Sequence, residues 1–278
     1  MCICLIPKTK EELGEALSQL TERSLILAGG TDLIIQMREN FIEPDVLLSL
    51  SDIAELRVIE LTDEHAVIGA MATMAEVERV LKPCVDLRAV ADAAGGVGSV
   101  QIRNKGTIGG NVANASPAGD LSPALWMLDA EVELMGPGCA LRRMPIRRFL
   151  TGVRQTEREC NEVITRFIID RKALSGWRSV FEKLGHRSQV TISRIGLAVA
   201  LLQDEAGVVE DARVVAGAIQ TVPFRLEKAE ELLRGSKAEP SLAVAVGATF
   251  EGNTRRRYKA AAAKGVAEAA LERFQQIL

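Results

Sequence analysis

The chain has 278 residues, of which 47% are hydrophobic and 26% are charged, and its formal net charge is −3. These values are typical of a globular protein with about two domains, and the scattered basic residues argue against nucleic acid or an anionic membrane surface as the main partner. No signal-peptide pattern is found at the N-terminus and no run approaches the roughly 18 apolar residues of a membrane helix, so we expect a cytoplasmic protein.

Helices and strands alternate irregularly along the first half of the chain. The predicted helices are 8–20, 74–81 and 87–94, and the predicted strands are 25–27, 45–50 and 66–68. A long uncharged segment rich in Gly, Asn and Ser then runs from Gly106 toward Asp120. A turn needs only about two to five residues, so we interpret this segment as a functional loop that its apolar residues tie to a core.

The second half of the chain divides at a polar stretch, DRKALSGW, between Asp170 and Trp177. The elements predicted before it are a helix over 122–130 and strands over 131–135 and 162–169, and those after it are strands over 179–184, 196–203 and 208–219. The remainder, Arg225 to Leu278, is rich in alanine and is predicted to be mainly helical, with breaks at Gly235 and Pro240. The pattern indicates an α+β protein with domains over 1–171 and 172–278, because the elements do not form repeated βαβ units.

Two glycine segments carry the strongest chemical signal, namely AGGTD at 28–32 and TIGGN at 107–111. Glycine has no Cβ, so it adopts positive φ and lets an anion approach the backbone amides. Successive amides in such a turn form a donor nest that suits a pyrophosphate, and the hydroxyls of Thr31 and Thr107 add further donors. Either segment alone is more often an ordinary tight turn, because glycine is commonest as a turn residue.

Cysteine and histidine spacing does not indicate a metal site or a catalytic group. The five cysteines do not have the even count of a disulfide framework, so we expect free thiols, and Cys2-Ile3-Cys4 has the wrong spacing for zinc or an iron–sulfur cluster. The two histidines, His65 and His186, lie in no recognisable catalytic pattern.

Three motifs together resemble a known family. LAGGTDL (27–33), QIRNKGTIGGNVANASPAGDLSPAL (101–125) and FEKLGHR (181–187) are similar to the FAD-binding (medium) subunit of molybdenum hydroxylases, the family of xanthine dehydrogenase and aerobic carbon monoxide dehydrogenase. The resemblance covers nearly the whole chain. It implies a two-subdomain FAD-binding domain of the vanillyl-alcohol oxidase/MurB type, split near residue 53, followed by a smaller α+β C-terminal domain.

The resemblance also implies which residues of this chain bind FAD. The first segment contributes Leu27, Ala28, Gly29, Gly30, Thr31, Asp32 and Leu33, and the second contributes Thr107, Ile108, Gly109, Gly110 and Asn111. Four more residues are implied by matching positions: Asp120 near the flavin, the apolar Ile164, Phe181, and Lys183 from the C-terminal domain. Several relatives have tyrosine where this chain has Phe181, so this ring either stacks on the flavin or belongs to the core. No catalytic side chain and no metal ligand are implied.

The implied function is electron transfer. A large subunit would hold the molybdenum-pterin centre and a small subunit two [2Fe-2S] clusters, while FAD in this chain would pass electrons to NAD+ or another acceptor. Two alternatives stay open, which are a binding or scaffold module without turnover and a self-contained flavin oxidase. Purified protein that cannot take up FAD would favour the scaffold, whereas the oxidase would need its own substrate pocket.

Overall fold

A computed structural model describes residues 2–187, 190–254 and 256–276. The helices within these ranges are α1 (Lys10–Leu17), α2 (Leu33–Glu39), α3 (Met74–Leu81), α4 (Arg88–Gly95), α5 (Val100–Arg103), α6 (Ile108–Ala113), α7 (Leu121–Met127), α8 (Ile146–Phe149), α9 (Glu227–Leu233), α10 (Ala243–Ala248) and α11 (Arg257–Gln276). The strands are β1 (Ile3–Leu5), β2 (Leu25–Leu27), β3 (Val46–Ser49), β4 (Ile59–Leu61), β5 (His65–Gly69), β6 (Glu131–Met135), β7 (Leu141–Pro145), β8 (Leu150–Gly152), β9 (Gln155–Thr156), β10 (Val163–Asp170), β11 (Trp177–Leu184), β12 (Ile195–Gln203), β13 (Val209–Gly217) and β14 (Phe224–Arg225).

Three main sheets organise these elements. The first is a parallel sheet with the order β1-β3-β2, and the second is an antiparallel sheet with the order β4-β5-β10-β6-β7. The third is an antiparallel sheet with the order β11-β12-β13-β14, and β8 pairs with β9 in a separate hairpin. Separate sheets and helices of this kind confirm the predicted α+β class.

The N-terminal parallel sheet packs on α1. Thr9 caps the helix by accepting a hydrogen bond from the Glu12 amide at 3.2 Å, and Leu13 and Leu17 turn their fully buried side chains toward Leu48 of β3. The small core formed this way also contains Met135 and Val163 from the second sheet. The two N-terminal sheets are therefore joined by shared apolar packing.

The third sheet is buried on both faces, which explains the apolar run of β12, IGLAVALLQ. Neighbouring residues on β11 alternate between two cores, since Val180 packs with the helices α9, α10 and α11 while Phe181 packs with α4 and α7. A buried hydrogen bond from the Ala89 amide to the Ser179 hydroxyl, at 3.0 Å, joins α4 to β11 directly. The sheet thus forms the middle layer of the C-terminal half of the molecule.

The predicted domain boundary falls between β10, which ends at Asp170, and β11, which begins at Trp177. The predicted split near residue 53 falls between β3 and β4. We keep both divisions as proposals. Met1 and the last two residues of the predicted C-terminal helical region, which extends to Leu278, lie outside the described ranges.

Several elements differ from the sequence-based expectation. The 106–120 segment is not an irregular loop throughout, because residues 108–113 form α6. Thr107 caps this helix by accepting a hydrogen bond from the Gly110 amide at 3.1 Å, which permits a helix despite two glycines in its first turn. The sequence also did not predict α2, which follows the first glycine segment directly. None of the helices in the described part of the chain has the length and apolar character to cross a membrane.

Candidate functional site

Both glycine segments line one cavity of about 310 Å³. Most of the predicted site residues line this cavity, namely Ala28, Gly29, Gly30, Thr31, Asp32, Leu33, Thr107, Gly109, Gly110, Asn111 and Ile164. The segments touch each other, since a Cβ built on Gly29 would lie 2.0 Å from the Lys105 carbonyl oxygen and one on Gly110 would lie 3.5 Å from the Ala28 Cβ. The absence of side chains at these glycines therefore brings the two backbones together at one wall of the cavity.

The first glycine segment presents a row of unused backbone donors. Gly30 has φ of +70°, and α2 begins at Leu33 without a side-chain cap from Asp32. The amides from Gly29 to Leu33 donate no hydrogen bond to any residue that the structure describes. Successive free amides around a positive-φ glycine form a concave site for an anion. This segment therefore has the donor set that a pyrophosphate requires.

The second glycine segment does not form the amide nest that the sequence suggested. The Ile108 amide donates to the Ala72 carbonyl at 3.0 Å and the Gly109 amide to the Ala70 carbonyl at 2.8 Å. The Gly110 and Asn111 amides donate to the hydroxyl and carbonyl oxygens of Thr107 at 3.1 and 3.0 Å. These four donors are occupied because the segment is the capped first turn of α6. Its contribution to the cavity is a close-packed wall instead of an anion nest.

One polar atom on this wall has no partner. The Asn111 side-chain oxygen Oδ1 is buried and accepts no hydrogen bond from any described residue. A buried amide oxygen is normally hydrogen-bonded, and Asn111 is one of the residues that line the cavity, so this oxygen is a candidate acceptor for a ligand donor. A hydroxyl-bearing chain such as the ribityl group of a flavin has such donors.

Arg158 is a cavity residue that the sequence analysis did not identify. Its Nη1 atom donates to the carbonyls of Glu159, Cys160 and Glu162, at 2.8, 3.4 and 2.9 Å. Burial lowers the pKa of the Arg158 guanidinium, an effect that the negative charge of Glu162 opposes. Its Nε and Nη2 atoms donate no hydrogen bond to described residues, so donors on a positive charge remain for a ligand. No local pattern distinguishes this arginine from its many neighbours in the sequence.

Asp120 and Lys183 form a buried ion pair outside the lining of this cavity. The carboxylate Oδ2 and the ammonium Nζ lie 2.7 Å apart, and the side chains are 7% and 16% exposed. The ammonium also donates to the Gly96 carbonyl at 2.7 Å, and the Ser193 hydroxyl donates to the carboxylate. Burial raises the pKa of the Asp120 carboxyl, whereas the Lys183 charge lowers it. The two predicted site residues thus bind each other and join the two halves of the chain.

Three further predicted residues also lie outside the cavity lining. Phe181 is buried, with its ring 3.2 Å from a Cβ built on Gly196, which is the core placement left open by the sequence. Ile108 is fully buried in the largest core, and Leu27 ends β2 just before the cavity begins. Their predicted roles in FAD binding, like those of Asp120 and Lys183, stay predictions.

Comparisons with known proteins agree over most of the chain. The family described as FAD binding domain in molybdopterin dehydrogenase matches residues 2–171, and the CO dehydrogenase flavoprotein C-terminal domain matches residues 180–270. The nicotinate dehydrogenase FAD-subunit of Eubacterium barkeri is 38% identical over 234 residues, which are 83% of this chain and 78% of that relative. The carbon monoxide dehydrogenase medium chain of Hydrogenophaga pseudoflava is 35% identical over 186 residues, or 66% of this chain and 63% of that chain.

A solved structure resembles the fold just described. It is the carbon monoxide dehydrogenase from Hydrogenophaga pseudoflava that lacks the Mo-pyranopterin moiety of the molybdenum cofactor. The likeness has a TM-score of 0.84 and 28% sequence identity, and it covers 97% of this chain and 96% of that chain. The similarity therefore includes both the sheets that line the cavity and the C-terminal sheet.

Proposed function

The chain belongs to the FAD-binding subunits of the molybdopterin dehydrogenases, the family that its motifs indicated, and we propose that it transfers electrons from a partner subunit to a soluble acceptor. It is thus a subunit of an FAD-dependent oxidoreductase. The observation that carries the proposal is the row of unused amides from Gly29 to Leu33, which faces the cavity closed by the second glycine segment. This donor set fits the pyrophosphate of FAD.

We assign the chain's own residues to binding and positioning. The first glycine segment would hold the pyrophosphate through backbone donors, and Asn111 would accept a hydrogen bond from the flavin's hydroxyl chain. Ile164 contributes an apolar part of the cavity wall. FAD bound there would supply the redox chemistry for the electron transfer. The predicted roles of Asp120, Phe181 and Lys183 belong to this proposal too, although they lie behind the cavity lining.

Partner subunits are the next part of the proposal. The names of the relatives, FAD-subunit and medium chain, support a complex in which a large molybdenum-cofactor subunit and a small [2Fe-2S] subunit surround this chain. The end of α2 supports a protein contact as well, because Phe41 is 89% exposed and Ile35 and Ile42 are exposed beside it. Exposed apolar side chains that lie together often mark an interface.

Isolation of the complex tests this assignment. We expect a tagged chain, purified from its native host, to carry FAD and to co-purify with two other subunits that contain molybdenum and iron. Metal analysis and the visible flavin spectrum measure both results. A chain that carries FAD but purifies alone and reduces oxygen with its own substrate would contradict the complex, and one that takes up no FAD would contradict the function altogether.

NAD+ as acceptor and a cytoplasmic location are finer parts of the same proposal. The purified complex, reduced by its organic substrate, should then produce NADH and be recovered from the cytoplasmic fraction. Reduction of another acceptor with no NADH formed would overturn the choice of NAD+ alone.

Arg158 provides a test within the cavity itself. Replacing Arg158 with methionine should weaken FAD binding about tenfold to a hundredfold, because hydrogen bonds from a charged donor to the pyrophosphate would be lost. Titration of the apoprotein with FAD and with ADP measures the effect, and both affinities should fall by a similar factor.

Arg148→Met is the matched control for Arg158. Arg148 is an exposed arginine for which the structure describes no side-chain hydrogen bond or ion pair, so the same substitution there should leave FAD binding unchanged. The Arg158→Lys variant should recover part of the affinity, since a positive charge returns. Equal affinity of wild type and Arg158→Met for FAD, with the same thermal stability, would remove Arg158 from the proposed site.

A further inference from the structure

Three basic side chains and a tyrosine form a cluster where α11 begins. Its members are Arg194, which precedes β12, and Arg256, Tyr258 and Lys259 at the start of α11; we call them the α11 basic cluster. The Arg194 guanidinium carbon lies 5.1 Å from the centre of the Tyr258 ring, a cation–π contact. The Lys259 ammonium donates a hydrogen bond to the Ala218 carbonyl.

The positive charge of this cluster is not compensated by the protein. Several other half-buried basic groups have carboxylate partners, such as Arg225 with Glu230 at 2.7 Å. Among the residues that the structure describes, none of the three basic side chains of the cluster has a carboxylate oxygen within the 4.0 Å of an ion pair. Arg194 contacts the rings of Tyr258 and His186, and neither contact is an ion pair with a carboxylate. A ligand with negative charge would supply the missing partner.

The burial of Lys259 increases the free-energy cost of keeping this positive charge without a carboxylate partner. Lys259 is only 8% exposed, and burial lowers the pKa of its ammonium. Tyr258 opposes this effect, whereas the charges of Arg256 and Arg194 act in the same direction as burial. Desolvation raises the pKa of the Tyr258 phenol, but a hydrogen bond from Arg256 and the charges of Arg194, Lys259 and Arg256 together lower it. A buried ammonium beside two guanidinium groups is retained in proteins mainly where it binds something.

The position of the cluster at the beginning of a helix reinforces the argument. The first turn of a helix carries partial positive charge and favours acidic residues, as at Glu11 and Glu12 in α1. The first turn of the 20-residue helix α11 has no acidic residue and instead has Arg257 and Lys259. These charges act against the helix dipole, so the local sequence departs from what stability alone favours. An anion at this point would interact favourably with the helix dipole and with the basic side chains.

The cluster also lies close to the region that the flavin proposal concerns. Arg194 follows Ser193, whose hydroxyl binds the Asp120 carboxylate, and Ala218 donates its amide to the Pro117 carbonyl at 3.0 Å. Both contacts lead to the segment between α6 and α7, which continues from the cavity wall. The cluster is therefore linked to the FAD-binding half of the chain through two adjacent connections.

We propose that the α11 basic cluster is a second anion site, which binds a phosphate group carried by a soluble nucleotide. Arg194 and Arg256 would hold the phosphate oxygens, with Lys259 providing charge from beneath. Inorganic phosphate shares this chemistry, so the test must separate the two sources. The choice of a nicotinamide dinucleotide as the nucleotide rests on the proposed function, whereas the anion site itself does not.

Calorimetric titration of the full-length, FAD-loaded chain tests the site. Pyrophosphate and NAD+ are the probes, and FAD in its own cavity prevents either from occupying that position. We expect saturable binding of pyrophosphate and competition between pyrophosphate and NAD+. Arg194→Gln and Arg256→Ser should each weaken the affinity for pyrophosphate and for NAD+ by about tenfold, which is the change expected when one charge-assisted hydrogen bond is lost.

Lys264→Gln is the matched control, because Lys264 is exposed on the same helix and its loss changes the net charge equally. Unchanged binding in this variant, together with weakened binding in the two cluster variants, would support the site. Absence of pyrophosphate binding in wild type, or equal binding in wild type and both cluster variants, would overturn it. If pyrophosphate binds and NAD+ does not compete with it, the cluster is a site for free phosphate, and the proposal that it binds a dinucleotide is wrong.

The flavin spectrum keeps this inference separate from the proposed function. If the protein is yellow and its cluster variants bind pyrophosphate normally, the proposed function stands and the second anion site is contradicted. If the chain binds no FAD but Arg194→Gln and Arg256→Ser still abolish pyrophosphate binding, the second anion site is supported and the proposed function is contradicted.

Discussion

A Gly110→Leu variant is expected to fold and to purify without flavin colour. Gly110 lies in the first turn of α6, where an added Cβ would meet the Thr107 hydroxyl at 3.0 Å and the Ala28 Cβ at 3.5 Å. The rest of a leucine side chain must extend toward the facing glycine segment, which is the space that the cofactor needs. We expect the FAD affinity to fall at least about a hundredfold, measured by titration of the apoprotein.

Gly265→Leu is the control for this substitution. A Cβ on Gly265 meets no atom within 4 Å, and the residue is exposed on α11, so leucine should leave FAD binding unchanged and raise helix stability slightly. Thermal unfolding of both apoproteins separates loss of the cavity from loss of the fold. A yellow Gly110→Leu protein with undiminished FAD content would show that the cofactor does not need the space beside Gly110.

A Lys183→Met variant is expected to lose about 3–5 kcal/mol of unfolding free energy at neutral pH, because it leaves the Asp120 carboxylate buried without its partner. The pair is 2.7 Å apart and nearly enclosed, so water cannot replace the ammonium. Urea denaturation at neutral pH measures the loss. Lys228→Met, at an exposed lysine on α9, should have little effect on the same measurement.

The pH dependence of this loss has a defined sign. Burial raises the pKa of Asp120, and removing Lys183 raises it further above the value of 3.8 that an unperturbed carboxyl has. A group whose pKa is higher in the folded state binds a proton preferentially there, so its cost is full above the folded pKa and disappears below the unfolded one. The Lys183→Met variant should therefore approach wild-type stability as the pH falls from neutral into the acidic range.

The double variant Asp120→Asn with Lys183→Met completes the test. It removes both charges, so most of the stability should return at neutral pH. A double variant as unstable as Lys183→Met would mean that the loss comes from packing of the lysine chain and not from the unpaired carboxylate.

Much of the fold was predictable from local patterns. The strands at 25–27 and 131–135 and the helix at 74–81 have the bounds that the apolar periodicity indicated. Helix α2 was missed because it is only seven residues long and follows the glycine turn directly, and none of its side chains is fully buried. The residue pattern of β12 revealed a buried strand but not which layers cover it, since that depends on contacts with helices far away in the sequence.

The residues that line the cavity were more predictable from the sequence than the hydrogen bonds that they make. Glycine at 29 and 30 indicated a backbone nest, and the amides of that segment are indeed unused by the described residues. The amide nest inferred at 108–111 does not form. The acceptors of Ile108 and Gly109 at Ala72 and Ala70 come from a segment whose proximity no local pattern encodes, whereas the acceptor Thr107 is the adjacent helix cap. Arg158 could not have been chosen from the sequence for the same reason, as only the folded chain brings it to the cavity.

The doubly covered sheet of the C-terminal half has a consequence for the modularity of this family. A boundary can be drawn in the sequence near residue 172, yet the face of β11 that carries Trp177 and Phe181 belongs to the core of the preceding domain. A fragment cut at that boundary would expose an apolar face on each side of the cut. An exchange of C-terminal domains between relatives would therefore succeed only if the packing residues of α4 and α7 were exchanged along with it.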